Sequence, residues 1–181
     1  NAYVKTSTVI ESAMDTTLYN IAINGKIFVE KYIGDVHTST SGLIATAKGQ
    51  IVIDKIDLGS NLEIEATDKS SGIFEVNGLI GNVLSGSVNI KSMSDSTIKF
   101  TESEESSIQN VNALVGVNSG TINIGTDKDP VDSTIEVMTQ FVDDHKLQSF
   151  SGLVGINKGD INSYGLTIKI GRLSEANIIA G

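Results

Sequence analysis

A Gly-Leu-bulky-Gly signature returns along the chain at nearly constant spacing, and this recurrence limits the possible folds more than any other feature. Gly42-Leu43-Ile44-Ala45 is followed by Gly78-Leu79-Ile80-Gly81, Ala113-Leu114-Val115-Gly116 and Gly152-Leu153-Val154-Gly155, in steps of 36, 35 and 39 residues. After each start comes a second glycine: Gly49, Gly86, Gly120 and Gly159. Each of these opens an alternating run, at Ile51/Ile53, Val88/Ile90, Ile122/Ile124 and Ile161/Ser163. A further alternating strand follows at Leu62/Ile64, Ile98/Phe100, Ile135/Val137 and Ile168/Ile170. A weaker earlier copy reads as Ile23-Asn24-Gly25-Lys26-Ile27-Phe28-Val29.

Successive side chains of a strand point to opposite faces, so Ile122 and Ile124 share one face while Asn123 takes the other. Each unit thus carries a narrow apolar row that it cannot bury alone. Stacking equivalent strands places Ile27, Ile51, Val88, Ile122 and Ile161 in one buried column, where each side chain contributes about 1.5–3 kcal/mol. Fixing a residue's backbone costs about 1–2 kcal/mol, so one unit fails where several succeed. The expected fold is all-β, a β-solenoid of about four to five repeats with a period near 36 residues. Residues 1–40 form a degenerate repeat or cap, and 41–181 hold repeats starting near 41, 77, 112 and 151, with another beginning near 177. Gly42, Gly78 and Gly152 open the motif; Gly81, Gly116 and Gly155 close its short strand. Gly49, Gly86, Gly120 and Gly159 mark a corner that requires residues tolerant of positive φ. Hairpin loops of an antiparallel sandwich would use the same turn residues, and only the fixed period argues against them.

Composition agrees with a β fold. Ile, Val and Thr make up 54 of the 181 residues, and such β-branched side chains suit a pleated surface better than a helical turn. Hydrophobic residues at 39% and a mean hydropathy of +0.05 set the chain apart from disordered tails. No apolar run is long enough to span a membrane as a helix. A net charge of −9 repels phosphate backbones, so no nucleic-acid partner is expected. Without cysteine there is no disulfide and no thiolate site.

The stretch Ser151-Gly152-Leu153-Val154-Gly155-Ile156-Asn157-Lys158-Gly159-Asp160-Ile161-Asn162-Ser163-Tyr164 resembles the GLUG repeat, and Asn112 to Ile124 is a second good match. The copies at Ser41 and Asn77 keep the Gly-Leu start but lack the asparagine before the second glycine. Asn177-Ile178-Ile179-Ala180-Gly181 resembles the opening of a further copy, which suggests an array that continues. The resemblance implies a secreted or cell-surface module of adhesin-like proteins, with no catalytic residues of its own. The units are longer than a bare GLUG repeat because loops such as Thr101 to Gln109 and Gly125 to Ser133 are extended.

Candidate chemistry is sparse. His37 and His145 are the only histidines, and each reads as a solvated loop residue. Neither a Gly-x-Ser-x-Gly elbow nor a His-Glu-x-x-His zinc motif occurs. Asp127, Asp129 and Asp132 gather carboxylates in one loop and are the one calcium candidate, although they lack the spacing of an EF-hand. Glu102, Glu104 and Glu105 form an acidic run that could serve glycosidic cleavage only across a groove with aromatic platforms, for which Phe141, Phe150 and Tyr164 are the candidates.

The sequence therefore predicts a non-enzymatic structural or adhesive module without a cofactor, presenting loops to a host or matrix protein or a glycan. Flanking repeats or sister protomers are the other expected partners. A self-assembling filament protomer and a polysaccharide-acting β-helix enzyme are the rival readings.

Overall fold

A computed structural model describes residues 4–7, 10–29, 37–59, 62–66, 73–102, 108–140 and 149–172. The first layer holds β1 (Val4–Ser7), β2 (Ile10–Leu18), β3 (Ile21–Ala22) and β4 (Gly25–Val29). The second holds β5 (His37–Ser41), β6 (Ile44–Ile53), β7 (Ile56–Asp57) and β8 (Leu62–Ala66). The third comprises β9 (Ile73–Asn77), β10 (Ile80–Val83), β11 (Ser87–Ile90) and β12 (Ser96–Glu102). The fourth comprises β13 (Ile108–Asn112), β14 (Val115–Asn118), β15 (Thr121–Ile124) and β16 (Ser133–Gln140). The last comprises β17 (Ser149–Ser151), β18 (Val154–Asn157), β19 (Asp160–Ser163) and β20 (Leu166–Arg172).

Each strand pairs in parallel with its counterpart one repeat away, which excludes the antiparallel sandwich. One sheet runs β1-β5-β9-β13-β17 and another runs β20-β16-β12-β8-β4. Between them an eight-stranded sheet bends at the glycine corner, with β6 spanning the bend unbroken. Partners in the first sheet, such as Asn77 and Asn112, lie a full repeat apart in sequence. The protein is an all-β solenoid of stacked parallel sheets with a period near 36 residues, as expected.

The interior is a continuous apolar column. Ile51, Val88, Ile122 and Ile161 stand in one register, as expected, and the first three are fully buried. Ile53, Ile90 and Ile124 form the parallel row, and Ile64 and Phe100 close the core from the opposite sheet. The motif leucines Leu43, Leu79 and Leu114 enter the core at the first corner. There the backbone ladder continues: Leu43 N–H donates to Leu79 O at 2.9 Å, and Leu79 N–H donates to Leu114 O at 2.8 Å. Buried backbone groups thereby stay paired where the chain turns.

Three expectations need correction. Ile27 is not in the Ile51 column: β4 pairs with β8 and sets Ile27 beside Ile64. The residue facing Ile51 is Thr16, because the first copy of the motif strand is β2. That copy escapes the glycine signature because Asp15, with φ of 44°, occupies the corner and accepts the Gln50 N–H at 2.7 Å. A short side chain that bonds locally tolerates this left-handed conformation better than most. Second, the last strand of the repeat is offset by two residues between β12 and β16, where Ile98 faces Val137 and Ile135 faces Ser96. A two-residue shift leaves every side chain on its own face, so alternation cannot detect it.

The third correction concerns the corner glycines. Gly49 and Gly86 have φ of 71° and 75°, whereas Gly120 and Gly159 lie outside the left-handed region. In those later layers an asparagine shapes the turn instead: Asn118 Oδ1 accepts the Gly120 N–H at 3.1 Å, and Asn118 Nδ2 donates to Asn157 Oδ1 at 2.8 Å. The earlier layers carry Ala47 and Val83 in the same register, with no amide to offer. Gly120 is required by crowding, since a Cβ there would stand 2.6 Å from Gly86 O.

The same crowding governs the motif start. A Cβ on Gly78 would collide with Ala113 O and lie 2.9 Å from Ile98 Cδ1, whereas at Gly152 no described atom lies within 4 Å. Gly78→Ala is expected to cost about 1–3 kcal/mol in urea-unfolding stability. Gly152→Ala should stay within about 0.5 kcal/mol; equal effects at the two positions would refute the close-approach explanation.

Candidate functional site

An open groove of about 590 Å³ runs across three layers on the outside of the solenoid. Its floor follows from strand alternation. Asn89 and Asn123 lie between buried isoleucine and valine neighbours and Asn162 shares their register, so the three side chains point outward. Asn123 Nδ2 donates to Asn89 Oδ1 at 2.6 Å, and Asn162 Nδ2 donates to Asn123 Oδ1 at 2.9 Å. Asn89 Nδ2 donates onward to Ser87 Oγ at 3.1 Å. The amides form a polarised ladder in which each interior member retains an N–H and a lone pair for another partner.

An insertion supplies one wall. Residues 125–132 separate β15 from β16, whereas only 164–165 separate β19 from β20. The inserted loop folds on itself: Thr126 N–H donates to Asp129 O at 2.9 Å, and Asp129 N–H donates to Thr126 Oγ1 at 3.0 Å. Gly125, with φ of 65°, brings the loop close against Tyr164, where a Cβ would stand 3.0 Å from Tyr164 O. Tyr164 is itself held from both sides, its N–H donating to Ile124 O at 2.9 Å and its O accepting the Val131 N–H at 3.0 Å. Tyr164, which is 40% exposed, lines the groove together with Asp127, Asp129 and Lys91. Lys91 lies 3.3 Å from Asp54.

The calcium candidate divides in this arrangement. Asp127 and Asp129 line the groove, whereas Asp132, at φ of 44°, lies beside the Gly165 corner instead. Among the described residues no group of three or more His, Cys, Asp or Glu is placed to hold a metal ion. His37 lies in β5 opposite Ile73, and Glu102 ends β12 opposite Ala66. Of the aromatic candidates among the described residues, Phe150 is half-buried against the core and Tyr164 lines the groove. His145, Glu104, Glu105, Phe141 and the motif start at Asn177 lie outside the described residues. Among the described residues no helix is long and apolar enough to cross a membrane.

The candidate glycines take two roles. Gly42, Gly78, Gly86, Gly120 and Gly159 face the backbone of an adjacent layer, and Gly49 faces Asp15. Gly81 and Gly116 also approach backbone carbonyls, but Gly116 and Gly155 leave room in addition for a buried asparagine ladder. A Cβ at Gly116 would stand 2.5 Å from Asn77 Oδ1, and one at Gly155 would collide with Asn112 Oδ1. Asn112 Nδ2 donates to Asn77 Oδ1 at 2.8 Å, while Asn112 Oδ1 is buried with no partner among the described residues. In the next layer Ser151 takes the same register.

A charged cluster on the sheet of β4, β8 and β12 stands apart from the groove. Lys26 Nζ lies 2.9 Å from Glu63 and 2.6 Å from Glu65, and Thr101 Oγ1 donates to Glu63 at 2.8 Å. Desolvation, the largest single influence on Glu63, raises its pKa; hydrogen bonds from Lys26 and Thr101, with the charges of Lys26 and Lys99, outweigh it and hold the carboxyl below 4.5. Lys26 is shifted upward, chiefly by its hydrogen bonds to Glu65 and Glu63.

Two outcomes follow. A carboxyl whose folded pKa is depressed adds stability above its unfolded pKa and loses it as pH falls through the folded value. Glu63→Gln should therefore flatten the decline in unfolding midpoint below about pH 4.5 relative to the parent chain, and an unchanged acid limb would remove Glu63 from the account. Ser151→Asn would offer an amide donor to the orphaned Asn112 Oδ1, with an expected gain of about 0.5–1 kcal/mol in chemical denaturation. No protein-family model, curated protein or solved structure matches this chain.

Proposed function

We propose that this chain is a non-enzymatic structural and adhesive module of a secreted or cell-surface repeat protein, a stiff β-solenoid that presents its outer groove and loops to a protein or glycan. The observation that carries the reading is the groove. An insertion in one repeat stands out from an otherwise regular stack and walls one side of an open groove that is floored by asparagines, bears a tyrosine and crosses three layers. Binding residues concentrate on loops that a rigid scaffold positions, and here the scaffold is a core shared between layers. The resemblance of Gly152 to Tyr164 to the GLUG repeat supports the same reading and is the ground for placing the module outside the cell.

The test uses the full chain in three assays. Beads coated with the protein should be retained on mucin-coated or matrix-coated glass above uncoated beads. The chain should elute from a sizing column at one volume over a wide concentration range, and it should release no reducing ends from polysaccharides. Absent retention on both surfaces would overturn the adhesive reading. High-mass species growing with concentration would point to a filament protomer, and released reducing ends to an enzyme.

A further inference from the structure

We infer that the groove over the Asn89–Asn123–Asn162 ladder binds a neutral oligosaccharide laid across the layers. The inference rests on the display-module reading and gives it a ligand class. The floor offers paired amide donors and acceptors repeated at the spacing of adjacent strands, about 4.8 Å. Sugar hydroxyls both donate and accept, so they match amides whose second N–H and second lone pair remain after the ladder bonds are made. Asp127 and Asp129 in the wall can only accept, and a hydroxyl supplies the donor for a charge-assisted bond. Tyr164 lines the groove, is exposed, and has its main chain held by bonds to Ile124 and Val131; an aromatic ring there offers an apolar surface to the C–H-rich face of a pyranose. The groove volume, about 590 Å³, falls within the range of small-ligand sites.

Other ligand classes fit less well. A peptide adding itself as a strand needs free backbone groups; β11 and β15 in the floor are paired on both sides, and a strand added beside β19, the edge strand among the described residues, would extend the sheet and not lie over the amide ladder. A phosphate or uronate chain would meet Asp127 and Asp129 within a chain of net charge −9, and the groove's lysine, Lys91, is already beside Asp54. Neutral saccharides escape that repulsion.

Isothermal titration of the full chain with cellotetraose and with chitotetraose tests the inference, with tetragalacturonate as the charge control. Saturable binding of at least one neutral tetrasaccharide is expected, at least tenfold tighter than tetragalacturonate. Tyr164→Ala and Asn162→Ala should each weaken it about tenfold, or about 1.4 kcal/mol, with the melting temperature of the solvent-facing Asn162→Ala serving as the fold control. No saturable binding of either neutral sugar, binding indifferent to both substitutions, or tighter binding of tetragalacturonate would overturn the inference. If both sugars fail while coated beads still adhere, the saccharide is wrong and the display module stands; loss of bead adhesion strikes the reading beneath it.

Discussion

In-register stacking of parallel strands one repeat apart is the constraint on which everything else in this protein depends. Backbone hydrogen bonds run along the long axis, so each layer is held mainly by the layers above and below it. Close stacking sets a strict distance at each corner. That distance explains why Gly78, Gly86 and Gly159 face a neighbouring carbonyl that a Cβ would strike. The glycine pattern thus follows from backbone approach between layers, and positive φ is a second requirement only at some of the corners.

Stacking also solves the problem of polar groups inside a narrow coil. Burying a lone amide is costly, but identical amides in register satisfy one another in series. Inside the first corner Asn112 donates to Asn77 in this way, with Asn112 Oδ1 left over where the next layer carries serine, and Asn118 donates to Asn157 at the second. Outside, Asn89, Asn123 and Asn162 use the same geometry with their spare valences open to solvent. One device therefore serves stability on the inside and lays a floor of evenly spaced donors and acceptors on the outside. The inserted loop over that floor turns a flat sheet face into a groove.

Much of the fold was legible because its periodicities are physical. The alternation at Val88-Asn89-Ile90 and Ile122-Asn123-Ile124 fixed which residues enter the core, and the Gly-Leu starts fixed the layer spacing. The first copy was not legible, because Asp15 does at its corner what glycine does at the next two. The β12–β16 offset was hidden for a different reason, since alternation is blind to shifts of two. The groove was partly legible: the outward asparagines and the acidic insertion were visible, but not that Asp127 and Asp129 join Tyr164 while Asp132 turns away.

The sequence by itself determined the all-β class, the repeat length and the inward-facing residues of the central layers, because alternation and glycine spacing are local consequences of strand and turn chemistry. Only the tertiary structure decided which strands meet, which glycine answers to backbone conformation and which to crowding, and which polar side chains converge. Those outcomes depend on contacts between residues a whole repeat apart, and along such distances a local pattern carries parity but not register.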